Sequence, residues 1–199
     1  MRAKKENTNV RRDQLTAAAL EVIGREGVHG LSIAGVSGQA GLGASSVYRH
    51  FESKDALLDA VLDHLQQRLL RNVTEVRAEA PGAVERLRLL MERHACLLAA
   101  NPAVPAIVFS DGLSAGHPGR ARKIRQIIEC YLGEVRAIIQ EGQAEGSLKP
   151  ELDPATGSVL FLGALLPAAL LCQLTGGDFQ ILEHYRKAWP IFRQSVAVG

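Results

Sequence analysis

The side chains of this chain best suited to chemistry are three cysteines, six histidines and one polar run near position 50. Cys96, Cys130 and Cys172 lie far apart, and His94 beside Cys96 makes at most half of a metal site. No HExxH, P-loop or GxGxxG motif occurs. Gly30-Leu31-Ser32-Ile33-Ala34 misses a nucleophile elbow by its last glycine and follows no strand. No enzyme, metal site or cofactor is therefore expected. The polar run is more informative. Tyr48 and His50 offer hydrogen-bond donors, Lys54 a cation, and Arg49 a guanidinium able to read guanine in a bidentate contact.

What must position these groups is a pair of short helices. Val36 and Ala40, four apart, share a face of the first. Gly41 sits where the helix must stop and the backbone turn with positive φ. Leu42 plugs the angle, Val47 returns from the second helix to the same core, and Ser37 is small enough for a close crossing. This is the steric recipe of a helix-turn-helix, whose second helix enters the DNA major groove. That helix is expected over Ala44–His50, with Ala44, Ser45, Ser46 and Arg49 as candidates for base edges.

The rest of the 199-residue chain reads as helical throughout. Leu15, Ala18, Ala19, Val22 and Ile23 form the apolar stripe of a first helix, which Gly27 and Gly30 close. Ser32 caps the second helix, and Ser53 a fourth that carries Leu57, Leu58, Val61, Leu62, Leu65 and Leu69 into the seventies with no loose linker. Pro81, Pro102, Pro118 and Pro154 mark later helix starts, the sixth running from Ala103 to about Leu113. An eighth helix from Asp153-Pro154 to about Leu174 should kink at Pro167, and a ninth, capped by Asp178, at Pro190. No stretch keeps a period of two. The expected fold is all-α, about nine helices, with a three-helix head on a helical body.

Net charge is only +2, with 47% hydrophobic and 22% charged residues, which suits an ordinary soluble protein. The basic excess is local: residues 1–12 carry Arg2, Lys4, Lys5, Arg11 and Arg12 against Glu6. We read 1–10 as a disordered basic arm, 11–55 as the DNA-binding head and 56–199 as an effector-binding and dimerisation domain. Arg120, Arg122, Lys123 and Arg125 read as a solvated face. The basic start lacks the apolar run of a signal peptide, and Val159–Cys172, at 14 residues, falls short of the roughly 20 that span a bilayer. A cytoplasmic protein with no membrane partner is expected, its scattered cysteines reduced.

Ala40-Gly41-Leu42, Val47-Tyr48-Arg49-His50-Phe51 and Ser53-Lys54-Asp55-Ala56-Leu57-Leu58 together resemble the DNA-binding signature of the tetracycline-repressor (TetR) family. The resemblance covers about 50 residues, Arg11 to Val61. It implies that Ser32, Tyr48, His50 and Lys54 hold phosphates, and that the body binds a small effector. The chain departs from the pattern at Val36-Ser37, at Gly35 and Gly38 inside helix two, at Gly43 in place of a capping hydroxyl, and at Ala34.

Helix faces nominate His94, Phe109, Tyr131, Phe161 and Leu165 as the effector pocket: apolar walls with two polar handles. Helix eight is apolar nearly all round and needs cover, so helices eight and nine are read as a homodimer surface. Leu160, Gly163, Ala164, Pro167, Tyr185, Trp189 and Phe192 would form it. The expected function is a dimeric, ligand-responsive transcriptional regulator: a repressor released from a palindromic double-stranded operator by a small molecule. The alternatives are a thiol sensor switching at Cys130 or Cys96, or a helical small-molecule binder with weakened DNA binding.

Overall fold

A computed structural model describes residues 8–109 and 118–198. Most of the basic arm and residues 110–113 of the expected sixth helix lie outside the described residues. Ten helices and a single isolated bridge, Leu148 with Ala197, make up the regular structure among the described residues. They form two compact units.

The first unit takes the chain up to Gln66 together with Asn101–Lys123. It holds α1 (Thr8–Gly30), α2 (Ile33–Gln39), α3 (Ala44–Tyr48), α6 (Ala103–Val108), the beginning of α4 (Lys54–Glu79) and the first turns of α7 (Pro118–Ala144). Leu15, Val22, Ile23, Leu31, Val36, Val47, Phe51, Leu57 and Val61 are its core. Gly27 adopts φ 72°, ψ 174° and ends the regular part of α1, as its position predicted. Gly24 lets α6 approach: a Cβ there would stand 3.3 Å from the backbone nitrogen of Ala103. The unit thus extends past residue 55 and recruits a later helix, which only tertiary packing specifies.

The second unit comprises Gln67–Ala100 and Ile124–Gly199. It contains the remainder of α4 and α7 with α5 (Ala83–Ala100), α8 (Pro154–Gly163), α9 (Leu166–Leu174) and α10 (Ile181–Val196). Leu87, Leu90, Met91, Val135, Ile138 and Ile139 fill its centre. Arg77 and Arg86 converge on the Glu141 carboxylate at 2.7 and 2.9 Å, tying α4 and α5 to α7.

Three expectations change. The single eighth helix is two, because Pro167 has no N–H for the carbonyl of Gly163 and the ladder breaks at Ala164–Leu165. Pro154–Leu174 has a mean hydropathy of 2.0 and by composition alone would pass for a membrane span. The break leaves helices of 10 and 9 residues, each about half the bilayer's thickness. Asp178 does not cap the last helix; Gln180 stands at that position without a side-chain cap. Third, Arg120 and Lys123 do not stand free on a solvated face: Arg120 is 8% exposed, Lys123 is half-buried, and both cations pair with carboxylates of α4.

Candidate nucleic-acid interface

The helix-turn-helix is built from caps and one glycine turn. Ser32 accepts from the Gly35 amide at 3.0 Å and starts α2. Gly35 makes room for this cap, since a Cβ there would lie 3.1 Å from the Ser32 hydroxyl oxygen. At the other end Gly41 adopts φ 65°, which brings the Leu42 amide onto the Ser37 carbonyl at 2.8 Å. Gly43 leads into α3 with no side-chain cap, so the Ser46 amide bonds its carbonyl instead. The α-helix ends at Tyr48, and the His50 and Phe51 amides both turn back onto the Val47 carbonyl at 2.9 Å.

The faces divide cleanly. Val47 and Phe51 are buried, while Ala44, Ser45 and Arg49 are exposed and Ser46 is half-buried. Tyr48 is 58% exposed, so its hydroxyl is offered outward instead of packing between helices. Ser32 is also exposed; its oxygen is occupied by the cap, but its O–H remains able to donate. His50 is half-buried with Nδ1 enclosed and unpartnered, which leaves Nε2 as the ring atom able to reach a phosphate. Lys54 is half-buried, and its Nζ lies 3.4 Å from the His29 carbonyl at the end of α1. Ser53 caps α4 through the Ala56 amide at 3.1 Å.

Arg12, read from the sequence only as part of a basic arm, has a defined place. Its guanidinium lies 4.4 Å from the centre of the Phe51 ring and donates to the His50 carbonyl. The signal available was its charge; the contact spans 38 residues, beyond the reach of any local pattern.

In the second unit His94 Nδ1 and the Tyr131 hydroxyl lie 3.0 Å apart, both buried. Desolvation pushes the imidazole down to about 4 and raises the phenol above its ordinary value. The imidazole is therefore neutral at physiological pH. Phe161 and Leu165 are wholly buried. Phe109 is a correction: it belongs to the first unit and is 50% exposed, because α6 ends there with its buried face, Ala103 and Ile107, turned to α1.

The proposed dimer residues also divide. Leu160, Gly163 and Pro167 are exposed, and Ala164 and Trp189 half-buried. Tyr185 and Phe192 are corrections, for they are buried on the face of α10 that packs on α5. Phe192 meets Phe161 edge-on at 5.7 Å. Trp189 lines an open groove of about 340 Å³ with Arg88 and Arg193. Cys96 and Cys130 are exposed and Cys172 half-buried, all three free. Among the described residues no three His, Cys, Asp or Glu side chains form a metal cluster.

Residues 15–61 match the family model for bacterial regulatory proteins, tetR family, and residues 80–168 that for the tetracyclin repressor-like C-terminal domain. The fatty acid metabolism regulator protein of Bacillus subtilis is 28% identical over 152 residues, covering 76% of this chain and 78% of that one. The nucleoid occlusion factor SlmA of Vibrio vulnificus is 22% identical over 204 residues, covering 98% and 99%. Among solved structures, the fatty acid degradation regulator FadR of Bacillus halodurans superposes with TM-score 0.78 at 21% identity, covering 96% of this chain and 97% of that one. FadR of Bacillus subtilis in complex with stearoyl-CoA gives 0.75 at 23% identity, over 90% and 96%.

Proposed function

The chain belongs to the TetR family of bacterial regulatory proteins, and from that premise we propose a homodimeric repressor that leaves a palindromic operator when a long acyl effector fills its second unit. A ligand-responsive DNA-binding transcriptional regulator needs a reading head and a body with two states. The observation that supports the DNA-binding part of this reading is the outward face of α3: Tyr48 and Arg49 exposed beside a Gly41 turn held by the Leu42–Ser37 hydrogen bond.

The head would use Ser32, Tyr48, His50 and Lys54 on phosphates and Ala44, Ser45, Ser46 and Arg49 on base edges. Phosphate contacts set register; the guanidinium of Arg49 carries most of the selectivity, since the other three side chains are small. The effector is proposed to be an acyl chain with one polar head, the class that the Bacillus subtilis FadR complex contains. A neutral His94–Tyr131 pair inside an apolar body supports it: the pair can donate and accept without placing a charge beside the chain. Such a regulator acts in the cytoplasm and performs no chemistry of its own.

Fluorescence anisotropy on DNA upstream of its own gene tests the reading. Affinity should fall steeply with salt, and stearoyl-CoA at micromolar concentration should release the duplex. Salt-insensitive binding, or no binding, would remove the regulator; binding indifferent to acyl-CoA would remove the effector class alone.

A further inference from the structure

Asp55, Asp59 and Asp63 recur every four residues along α4 and so form one acidic stripe. The start of α7 lays two cations along it. Arg120 Nη2 lies 2.5 Å from Asp55 and its Nε 4.0 Å from Asp59. Lys123 Nζ lies 2.8 Å from Asp63 and donates to the main-chain carbonyl of Asp59 at 3.1 Å. Among the described residues Arg120 is the one Lys, Arg, Asp or Glu that is buried. Burying a guanidinium is costly, and an apolar side chain would hold two helices together at least as well. What a ladder of charges adds is register: sliding one helix by a turn leaves at most one of the two cations opposite a carboxylate of the stripe.

The ladder is placed where register matters. Its first rung, Asp55, follows Lys54 in the chain and stands seven residues after Tyr48. Its other side, α7, runs unbroken to Ala144 and carries Tyr131, the partner of His94, two turns beyond Lys123. We propose that Arg120 and Lys123 are positioning residues that hold α4, through Asp55, Asp59 and Asp63, in the register the DNA-reading head requires. An effector at Tyr131 releases DNA by disengaging this ladder, a second step that rests on the effector reading above.

Lys123 and Asp63 give the test, because Asp63 lies nine residues, roughly 14 Å, along α4 from Lys54, away from the phosphate-facing end. The readout is the affinity for a duplex selected from a random pool divided by that for its scrambled version, which cancels the change in overall charge. Lys123→Asp and Asp63→Lys should each lower this ratio at least tenfold, and the exchanged double variant should recover it to within threefold. Stearoyl-CoA should bind the exchanged variant as it binds the wild type and the single variants at least as tightly, since their ladder is already open, although in the single variants it should change DNA affinity less than twofold. Single variants with the wild-type ratio would overturn the proposal. So would an exchanged variant that melts like the wild type and still reads no sequence, which also decides the matter if the single variants fail to fold. Single variants that the ligand still releases from DNA would overturn the second step. If the wild type binds no stearoyl-CoA, the effector reading has failed, and the DNA ratio alone decides whether the ladder positions the head.

Discussion

On the proposed reading Arg49 and Lys54 both face DNA, yet their loss should be told apart by the kind of affinity that disappears. Arg49→Ala removes a fork able to grip guanine, so about 1–3 kcal/mol should vanish for the selected sequence while binding to scrambled DNA changes little. Lys54→Ala should weaken all sequences alike and reduce the slope of log affinity against log salt by about 1. Salt titrations on both duplexes check this; equal slopes for wild type and Lys54→Ala would remove Lys54 from the phosphate contacts. The buried imidazole gives a second residue-scale prediction. Folding lowers the pKa of His94 from 6.5 to about 4, so between those values the unfolded chain binds a proton that the native protein refuses. Its contribution is therefore full above pH 6.5 and falls as pH drops through that window. From pH 7.5 to pH 5 the loss should be about 2 kcal/mol. His94→Gln keeps a partner for the Tyr131 hydroxyl but does not titrate, and urea melts of the two proteins should differ in pH dependence by that amount.

At the scale of elements, the two glycines of α2 look alike in sequence and differ in place. Gly38 is exposed with nothing within 4 Å of an added Cβ, so Gly38→Ala should stabilise by about 0.5–1 kcal/mol. Gly35→Ala would push a methyl to 3.1 Å from the Ser32 hydroxyl oxygen, and the cap, worth ~1 kcal/mol, should offset any helix gain. Thermal melts that moved equally for the two would refute the distinction. What sequence reading recovers follows the same divide between local and distant causes. Caps at Ser32, Ser53 and Asp153, stops at Gly27 and Gly41, and the buried faces of α1 and α4 were legible because each depends on neighbours within a turn or two. The inward face of Tyr185 and Phe192, the exposure of Phe109 and the pairing of Arg120 with Asp55 were not, because each depends on an element far along the chain. Hydropathy alone also hid the break before Pro167, since an apolar pattern continues across it.

The whole molecule poses the question of what covers the apolar side of the second unit. Val159, Leu160, Leu171, Leu174 and Ile191 are all exposed on α8, α9 and α10. Leu160, Gly163, Pro167, Leu171 and Leu174 keep a spacing of three or four through the helix break, so the exposed side reads as one stripe. Monomeric soluble proteins seldom leave such a stripe bare, and a closed pair of copies would bury it while presenting two heads. Two heads matter because half-sites lie about 34 Å apart, one helical turn of DNA, and a single short α3 reaches only one of them. Leu160→Glu with Ile191→Glu should therefore yield a folded monomer that binds a half-site as the wild type's single head does. On the full palindrome it should lose at least 100-fold, because the second head no longer acts at high effective concentration. Tyr185→Ala or Phe192→Ala, facing inward, should instead cost about 3–5 kcal/mol of folding stability and leave the association of the remaining folded protein intact. Sedimentation equilibrium beside anisotropy on whole and half operators separates the two outcomes, and a Leu160→Glu, Ile191→Glu protein that still sediments as a dimer would move the interface off this stripe.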